Sequence, residues 1–141
     1  MFREFRLAFM AINFHPRAGM VLMCDFSGSV PPEINKIRPV VVVTPAHVRR
    51  GELATVVPLS TAPPRPIYAY HHRLISASYP GAAGEVWAKC DLVTSVSYAR
   101  LDRIKLDSGE RVIGYVCHRD LIGICYAVNA YFGIDPAPFR E

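Results

Sequence analysis

The sequence predicts a mainly β domain of the α+β class, a small barrel or rolled sheet followed by one C-terminal helix. The first observation is that 12 prolines cut the chain into segments too short for long helices. The second is that the apolar runs between them are short and bounded by turn residues, which is typical of strands. With 141 residues, of which 51% are hydrophobic and 20% charged, we expect one folded domain with its own core.

About six or seven short strands are predicted. The runs GMVLMCDF and PVVVVT are apolar or β-branched and favour buried strands. Residues 67–74 alternate, with Tyr68, Tyr70 and Leu74 on one side, which favours an edge or half-buried strand. A turn at 107–109 precedes the last strand. The strands predicted before that turn are 19–26, 39–44, 53–59, 67–74, 84–90 and 92–97.

The C-terminal helix is predicted in the run HRDLIGICYAVNAYFG. Leu121, Cys125, Val128 and Phe132 recur at helical spacing and form one apolar stripe, and Gly133 is placed to end the helix. Because the strands are short and closely spaced and one helix follows them, a small barrel is favoured over a parallel α/β sheet.

Arginine dominates the basic residues. The chain carries 16 basic and 12 acidic residues, a formal net charge of +4, and 13 of the basic residues are Arg. A guanidinium fork pairs bidentately with phosphate, so this bias favours a phosphate-bearing partner such as a nucleic acid. An ordinary solvated surface is the alternative explanation.

The 4 cysteines show no C-x-x-C spacing, so structural zinc is not expected. Cys24, Cys90 and Cys125 lie in apolar stretches, where buried free thiols are the usual explanation. We therefore expect a reducing, cytoplasmic setting. No apolar run approaches the roughly 18 residues of a spanning helix, so no membrane association is expected.

Two polar pairs lie at the ends of predicted strands. Arg38 directly precedes the predicted four-valine strand 39–44, so it would be presented at the mouth of a sheet, where it could meet a phosphate. A surface salt bridge to Glu33 is the alternative. Ser60 and Thr61 end the run VVPLST, where hydroxyls commonly cap the following turn.

A third pair lies in the run VWAKCD. In a strand, Lys89 and Asp91 would share one face and Cys90 the other, so a cation and a carboxylate could act as an acid and base, or form a cross-strand salt bridge. His71 and His72 are adjacent, and their spacing assigns them no role. The chain lacks the G-x-S-x-G, P-loop and dinucleotide-binding motifs, which excludes those classes.

Three stretches together resemble the PemK/MazF family of toxin endoribonucleases from type II toxin–antitoxin systems. They are AGMVLMCDFSGSVPPEINKIRPVVVVTP, VVPLST and VWAKCD, and the resemblance covers roughly residues 18 to 105. The family's order of motifs is an acidic and aromatic end of the first strand, a Glu in the next loop, an Arg-Pro pair opening a valine-rich strand, and a Pro-x-Thr motif. Those places hold Asp25-Phe26, Glu33, Arg38-Pro39 and Pro58-Leu59-Ser60.

The resemblance implies an SH3-like barrel with a C-terminal helix, acting as a homodimer whose groove receives single-stranded RNA. Cleavage in this family needs no metal or other cofactor: the ribose 2′-OH attacks the adjacent phosphorus and gives a 2′,3′-cyclic phosphate and a 5′-OH. A cognate antitoxin is the implied protein partner. The domain would comprise residues 18–141, with residues 1–17 as an N-terminal extension.

By the family's motifs, Arg38 would stabilise the phosphorane and is one candidate donor of the leaving-group proton, and Ser60 would hydrogen-bond a phosphate oxygen. The run Lys89-Cys90-Asp91 resembles the Arg-Cys-Asp of the PemK-like branch, in which the Asp is the base and the cation the acid. Glu33 and Thr61 are the expected RNA-binding residues.

Four departures from the family pattern bear on activity. Ser60 replaces Thr, Lys89 replaces Arg, Pro32 stands where the PemK-like branch has His, and Lys36-Ile37 lacks the usual Gly. These departures leave open the alternative hypothesis that this protein is a family member that binds antitoxin or nucleic acid without cleaving RNA. A third hypothesis, a gyrase-directed toxin on a related barrel, fits less well, because such proteins lack the Arg-Pro and Pro-x-Thr pairing.

Overall fold

The computed structural model describes residues 9–48, 50–75, 79–82 and 84–134. Within these residues lie ten short strands, one C-terminal α-helix and two 3₁₀ helices. The strands are β1 (Met20–Asp25), β2 (Ile37–Val42), β3 (Leu53–Ser60), β4 (His71–Arg73), β5 (Trp87–Lys89), β6 (Thr94–Ser97), β7 (Leu101–Asp102), β8 (Ile104–Lys105), β9 (Arg111–Val112) and β10 (Gly114–Tyr115); the helices are α1 (His118–Tyr131) and the 3₁₀ helices Cys90–Leu92 and Tyr98–Arg100.

The strands form one strongly branched antiparallel sheet and a separate β8–β9 hairpin. The main order is β10-β1-β2-β3-β5-β4, while β6 also pairs with β3 and β7 with β1. The predicted mainly β fold with a C-terminal helix is confirmed. The barrel description holds only loosely, because β10 and β4 end the order unpaired with each other and the sheet is not closed.

The long strand β3 divides the sheet. One edge of β3 pairs with β2, and the other pairs with β6 over Leu53–Val56 and then with β5 at Leu59 and Ser60. Pro58 lies in the gap between the two partners, a position that suits a residue without an amide hydrogen. The 3₁₀ helix Cys90–Leu92 crosses this gap and joins β5 to β6.

Both faces of the central strands are buried, which explains their unbroken apolar runs. One face, which includes Val41 and Val57, packs with Ile124 and Ala127 of α1. The opposite face packs in a second core with Val96 of β6. That second core is formed by Ile12, Met20, Leu22, Cys24, Phe26, Val40, Val42, Ala54, Val56, Val96 and Leu101. A strand buried on both sides has no polar alternation to read from the sequence.

The helix is confirmed, but its predicted apolar stripe is partly wrong. Leu121 and Val128 pack against the core, whereas Cys125 and Phe132 are exposed. The residues buried in α1 are Asp120, Ile124 and Ala127. The buried face of α1 is therefore rotated from the predicted apolar stripe, and its first turn buries the carboxylate of Asp120 rather than an apolar side chain.

Gly133 ends the helix as predicted. Its φ is +74°, and its amide donates to the Ala130 carbonyl at 3.1 Å while the Ile134 amide donates to Asn129 at 2.9 Å. These two bonds form a Schellman cap, which favours glycine at the left-handed position.

Two predicted strands are much shorter than expected. The predicted strand 67–74 is reduced to β4, and Tyr68 and Tyr70 precede it outside the strand. The predicted strand 84–90 is reduced to β5. The region after 107–109 forms two two-residue strands, β9 and β10, which raises the number of strands above the prediction.

Residues before β1 pack on the sheet. The Ile12 amide donates to the Leu101 carbonyl at 2.9 Å, and the Met10 amide donates to Oδ2 of the buried Asp102 at 2.8 Å. Arg111 forms an ion pair with the same carboxylate. The division of the chain after residue 17 stays a prediction.

Candidate functional site

A cleft of about 430 Å³ opens where the second core face of the sheet reaches solvent. We call it the Arg38 cleft. Its lining includes Arg38, Ser60, Thr61 and Lys89 from three neighbouring strands and the turn after β3, together with Pro58. Four of the six predicted site residues therefore lie together.

The strand register explains why these side chains meet. Val42 pairs with Val56 and Val40 with Pro58. Extending this register by two residues places Arg38 opposite Ser60, and both line the cleft. Residues that oppose each other in antiparallel strands point to the same face. The buried valine face therefore continues outward into a polar, cationic end.

Arg38 is exposed and forms no ion pair within the described residues. Among the described residues Arg38 and Glu33 form no salt bridge, and a Glu33 carboxylate oxygen accepts from the Val30 amide at 3.2 Å. An unpaired guanidinium at the mouth of a cleft is free to bind an anion.

Ser60 forms the local turn that its position predicts. Its Oγ accepts from the Ala62 amide at 3.1 Å. This bond turns the chain out of β3 and holds the hydroxyl at the wall of the Arg38 cleft. Thr61 is exposed beside it.

Asp91 is not in a strand, so the predicted sharing of a strand face by Lys89 and Asp91 is wrong. The chain leaves β5 after Lys89 and turns into the 3₁₀ helix Cys90–Leu92. Cys90 is buried there, and its amide donates to the Tyr70 carbonyl at 3.1 Å. Lys89 and Leu92 line the Arg38 cleft, but Asp91 between them is not among the lining residues.

His71 is a residue of the site that the sequence did not indicate. It lies directly across from Lys89 in the β4–β5 register. Its Nε2 is 4.0 Å from Oδ1 of Asp91, and its side chain is only 9% exposed. Only the pairing of β4 with β5 brings these groups together; no spacing in the sequence signals it.

The tautomer of His71 follows from its backbone contact. The Tyr68 amide donates to Nδ1 at 3.0 Å, so a neutral ring carries its proton on Nε2, which faces Asp91. Oδ1 of Asp91 is buried and has no hydrogen-bond partner among the described residues. A small closing movement would let His71 donate to it.

Glu33 lies in a neighbouring cleft of about 380 Å³ rather than in the Arg38 cleft. The two clefts share Ile34, Pro58 and Leu92 as a common wall. Arg100 lines the second cleft and donates to the carbonyls of Asp25 and Ser27 at 3.0 and 3.2 Å, which holds the start of the β1–β2 loop.

The cysteines near the site are not activated. Burial raises the pKa of Cys24, which pairs with Arg38 in the β1–β2 register, to about 12, and burial likewise raises the pKa of Cys90 to about 12. Both therefore remain thiols at neutral pH and are poor nucleophiles.

Within the residues that the structure describes, no helix is both long and apolar enough to cross a membrane. The same residues contain no group of three or more His, Cys, Asp or Glu side chains that could hold a metal ion.

The sequence comparisons identify the family. The family described as PemK-like, MazF-like toxin of type II toxin–antitoxin system matches residues 17–129. YifN of Escherichia coli (strain K12) is 32% identical over an alignment 128 positions long, and the match covers 71% of this chain and 80% of YifN. The chain belongs to the PemK-like, MazF-like toxin family, as the sequence motifs predicted.

Solved structures with the same fold come from this family. MazF from Deinococcus radiodurans (Form-I) is 17% identical with a TM-score of 0.62, covering 86% of this chain and 100% of that one. An endoribonuclease in complex with its cognate antitoxin, from a mycobacterial species, is 16% identical with a TM-score of 0.58, covering 86% and 98%. The Mycobacterium tuberculosis toxin MazF-mt6 is 18% identical with a TM-score of 0.54, covering 81% and 98%. At these identities the likeness concerns the fold.

Proposed function

We propose that this protein is the toxin of a type II toxin–antitoxin system and cleaves single-stranded RNA without a metal ion. The observation that carries the proposal is the Arg38 guanidinium, which forms no ion pair within the described residues and lines one cleft together with Ser60 and Lys89. A cationic cleft with a hydroxyl and a neighbouring carboxylate suits a reaction that adds negative charge at phosphorus.

In the proposed reaction, Asp91 takes the proton from the ribose 2′-OH, and the 2′ oxygen forms a bond to the adjacent phosphorus. The bond from phosphorus to the 5′ oxygen breaks, and Lys89 donates the proton to that leaving oxygen. Arg38 neutralises the charge on the phosphorane, and the Ser60 hydroxyl binds a phosphate oxygen. The products are a 2′,3′-cyclic phosphate and a 5′-OH.

His71 has a positioning role in this proposal. Its Nε2 proton faces Oδ1 of Asp91, so it can hold one carboxylate oxygen while the other takes the 2′-OH proton. The 4.0 Å separation is longer than a hydrogen bond, and hydrogen bonds of this kind commonly tighten when substrate binds. His71 thereby offers this chain a histidine near the site, although Pro32 replaces the one in the family motif.

The remaining parts of the proposal concern partners. Thr61 in the Arg38 cleft and Glu33 in the adjoining cleft would contact RNA on either side of the cut. Structures of related toxins with antitoxins support a cognate antitoxin partner for this chain. We expect a homodimer that acts in the cytoplasm, where mRNA is available.

The test is incubation of purified protein with a long single-stranded RNA in EDTA, with cut sites and end chemistry mapped. Cuts at a short recurring sequence with cyclic-phosphate and 5′-OH ends are expected. Arg38→Ala should abolish them. Arg119→Ala, which changes an exposed arginine on α1, should cut like wild type.

Full cleavage by a folded Arg38→Ala variant would defeat the proposed site. RNA binding without cyclic-phosphate products would instead favour the non-cleaving family member, and would direct attention to the Lys89 and Pro32 departures.

A further inference from the structure

Aromatic side chains gather at the edge of the sheet beside the Arg38 cleft. The rings of Tyr68 and Tyr70 are stacked, with centroids 5.2 Å apart and an interplanar angle of 19°. The centroid of the Tyr70 ring also lies 4.6 Å from that of the His71 ring and 5.4 Å from that of the Tyr131 ring of α1, which it meets edge-on. We call Tyr68, Tyr70 and Tyr131 the tyrosine platform.

The platform is open to solvent on its outer side. Tyr68 is 51% exposed and Tyr131 is 46% exposed. Tyr70 stacks on one face of the Tyr68 ring, and the His71 ring lies 5.9 Å from it at a tilt of 41°, so the part of Tyr68 left to solvent lies away from these two rings. The strand beneath, β4, is the last in the sheet order, so within the described residues no further strand covers this side.

The platform is continuous with the proposed catalytic groups. His71, which touches Tyr70, lies directly across from Lys89 and faces Asp91. The Tyr68 amide fixes the His71 ring. A polynucleotide with its phosphate at Lys89 would therefore carry its neighbouring base toward the platform.

We propose that the tyrosine platform is a nucleobase-stacking site, in which the free face of Tyr68 takes a base next to the cleaved phosphate. This inference rests on the proposed RNA-cleaving function. Sites for single-stranded RNA combine a cationic groove for the backbone with aromatic faces for the bases, and here the two adjoin. Stacking on a tyrosine face tolerates any base, so the platform would increase RNA affinity and fix the position of the RNA in the site without adding sequence preference.

The ring geometry favours a base over a protein side chain as the occupant. Two tyrosine rings already stacked within 19° of parallel present a flat surface that a planar base extends. A second copy of this chain is the competing occupant, and the experiment separates the two.

The experiment measures binding of a short fluorescent RNA that carries a mapped cut site with a 2′-deoxy sugar there, so that the RNA cannot be cleaved. Tyr68→Leu keeps the amide that contacts His71 but removes the aromatic face; it should raise Kd by about tenfold. Tyr68→Phe should stay near wild type. Tyr115→Leu is the matched control, because Tyr115 is 59% exposed on β10 at the opposite end of the sheet order.

An abasic nucleotide beside the cut site identifies the stacked base. With that RNA, wild type and Tyr68→Leu should bind equally, because the partner of the ring is missing. Equal loss of affinity from Tyr68→Leu and Tyr115→Leu would overturn the platform.

The outcomes also separate this inference from the proposed function. Unchanged RNA affinity of Tyr68→Leu, with cleavage that still depends on Arg38, would overturn the platform alone. Failure of the wild type to bind RNA would overturn both. Weaker self-association of Tyr68→Leu with unchanged RNA affinity would assign the surface to a second copy of the chain and overturn the stacking site.

Discussion

Gly123 of α1 packs directly against His72 of β4, and this contact makes the effect of Gly123→Ala predictable. An added Cβ would lie 2.3 Å from Cε1 and 2.6 Å from Nδ1 of His72. The ring cannot yield easily, because its Nε2 is held at 2.9 Å by Oδ1 of Asp120, which is fully buried. Alanine at this position must therefore displace the ring and break the hydrogen bond.

The size of the effect follows from two opposing contributions. Losing a hydrogen bond to a buried charged group costs about 1.5–3 kcal/mol. Replacing glycine by alanine inside a helix returns about 1 kcal/mol. We therefore expect Gly123→Ala to lower the free energy of unfolding by about 0.5–2 kcal/mol, although alanine is the better helix former.

The assay is urea unfolding followed by the fluorescence of Trp87, the only tryptophan, which is 7% exposed. The control background is His72→Ala, which removes the obstructing ring. There, Gly123→Ala should raise the free energy of unfolding by up to about 1 kcal/mol. A change of the same sign and size in both backgrounds would refute the steric argument.

Three further predictions concern pH and the site. Burial alone would raise the pKa of Asp120, but hydrogen bonds from His72, the Ile75 amide and Cys117 outweigh it and lower that pKa. Ionised Asp120 therefore contributes its full stabilisation of the folded state above the ordinary aspartate pKa of about 3.9, and this contribution is lost as pH falls through the lowered pKa of the folded state. Asp120→Asn should make the free energy of unfolding, measured by urea titration, fall less steeply at acid pH. His71→Leu should lower kcat for RNA cleavage by about tenfold with little change in KM, and His71→Gln, which keeps a donor, should partly restore it; a change confined to KM would contradict the positioning role. Lys89→Met should reduce the slope of log Kd against log salt by about 0.7, the value for one single-strand phosphate contact, and an unchanged slope would remove Lys89 from the phosphate.

Local signals predicted much of the fold. Three of the four consecutive valines lie in β2, which begins at Ile37, two residues before the predicted strand; the run LATVVPL lies in β3, and Gly133 ends α1 with a positive φ. These features depend on propensities and turn chemistry within a few residues, so they can be read along the chain. The Arg38 and Ser60 positions also follow from strand ends.

The predictions for Asp91 and Cys125 were wrong because they depend on contacts between residues far apart in the chain. Asp91 leaves the strand because the partner of β3 changes from β6 to β5 near Pro58, and the chain that connects β5 to β6 must turn there. Cys125 is exposed because the first turn of α1 buries Asp120 under β4. Neither partner is near in sequence, so no periodicity reveals them.

The sequence by itself determined the mainly β class, the C-terminal helix, the family and four residues of one cleft, because motif and strand-end signals are local. Only the tertiary structure decided that both sheet faces are buried and that His71 lies across from Lys89 beside a tyrosine platform. Strand register and the packing of a helix on a sheet depend on contacts between residues far apart in the chain. A shift of the register by one residue would turn every side chain of the strand to the opposite face of the sheet.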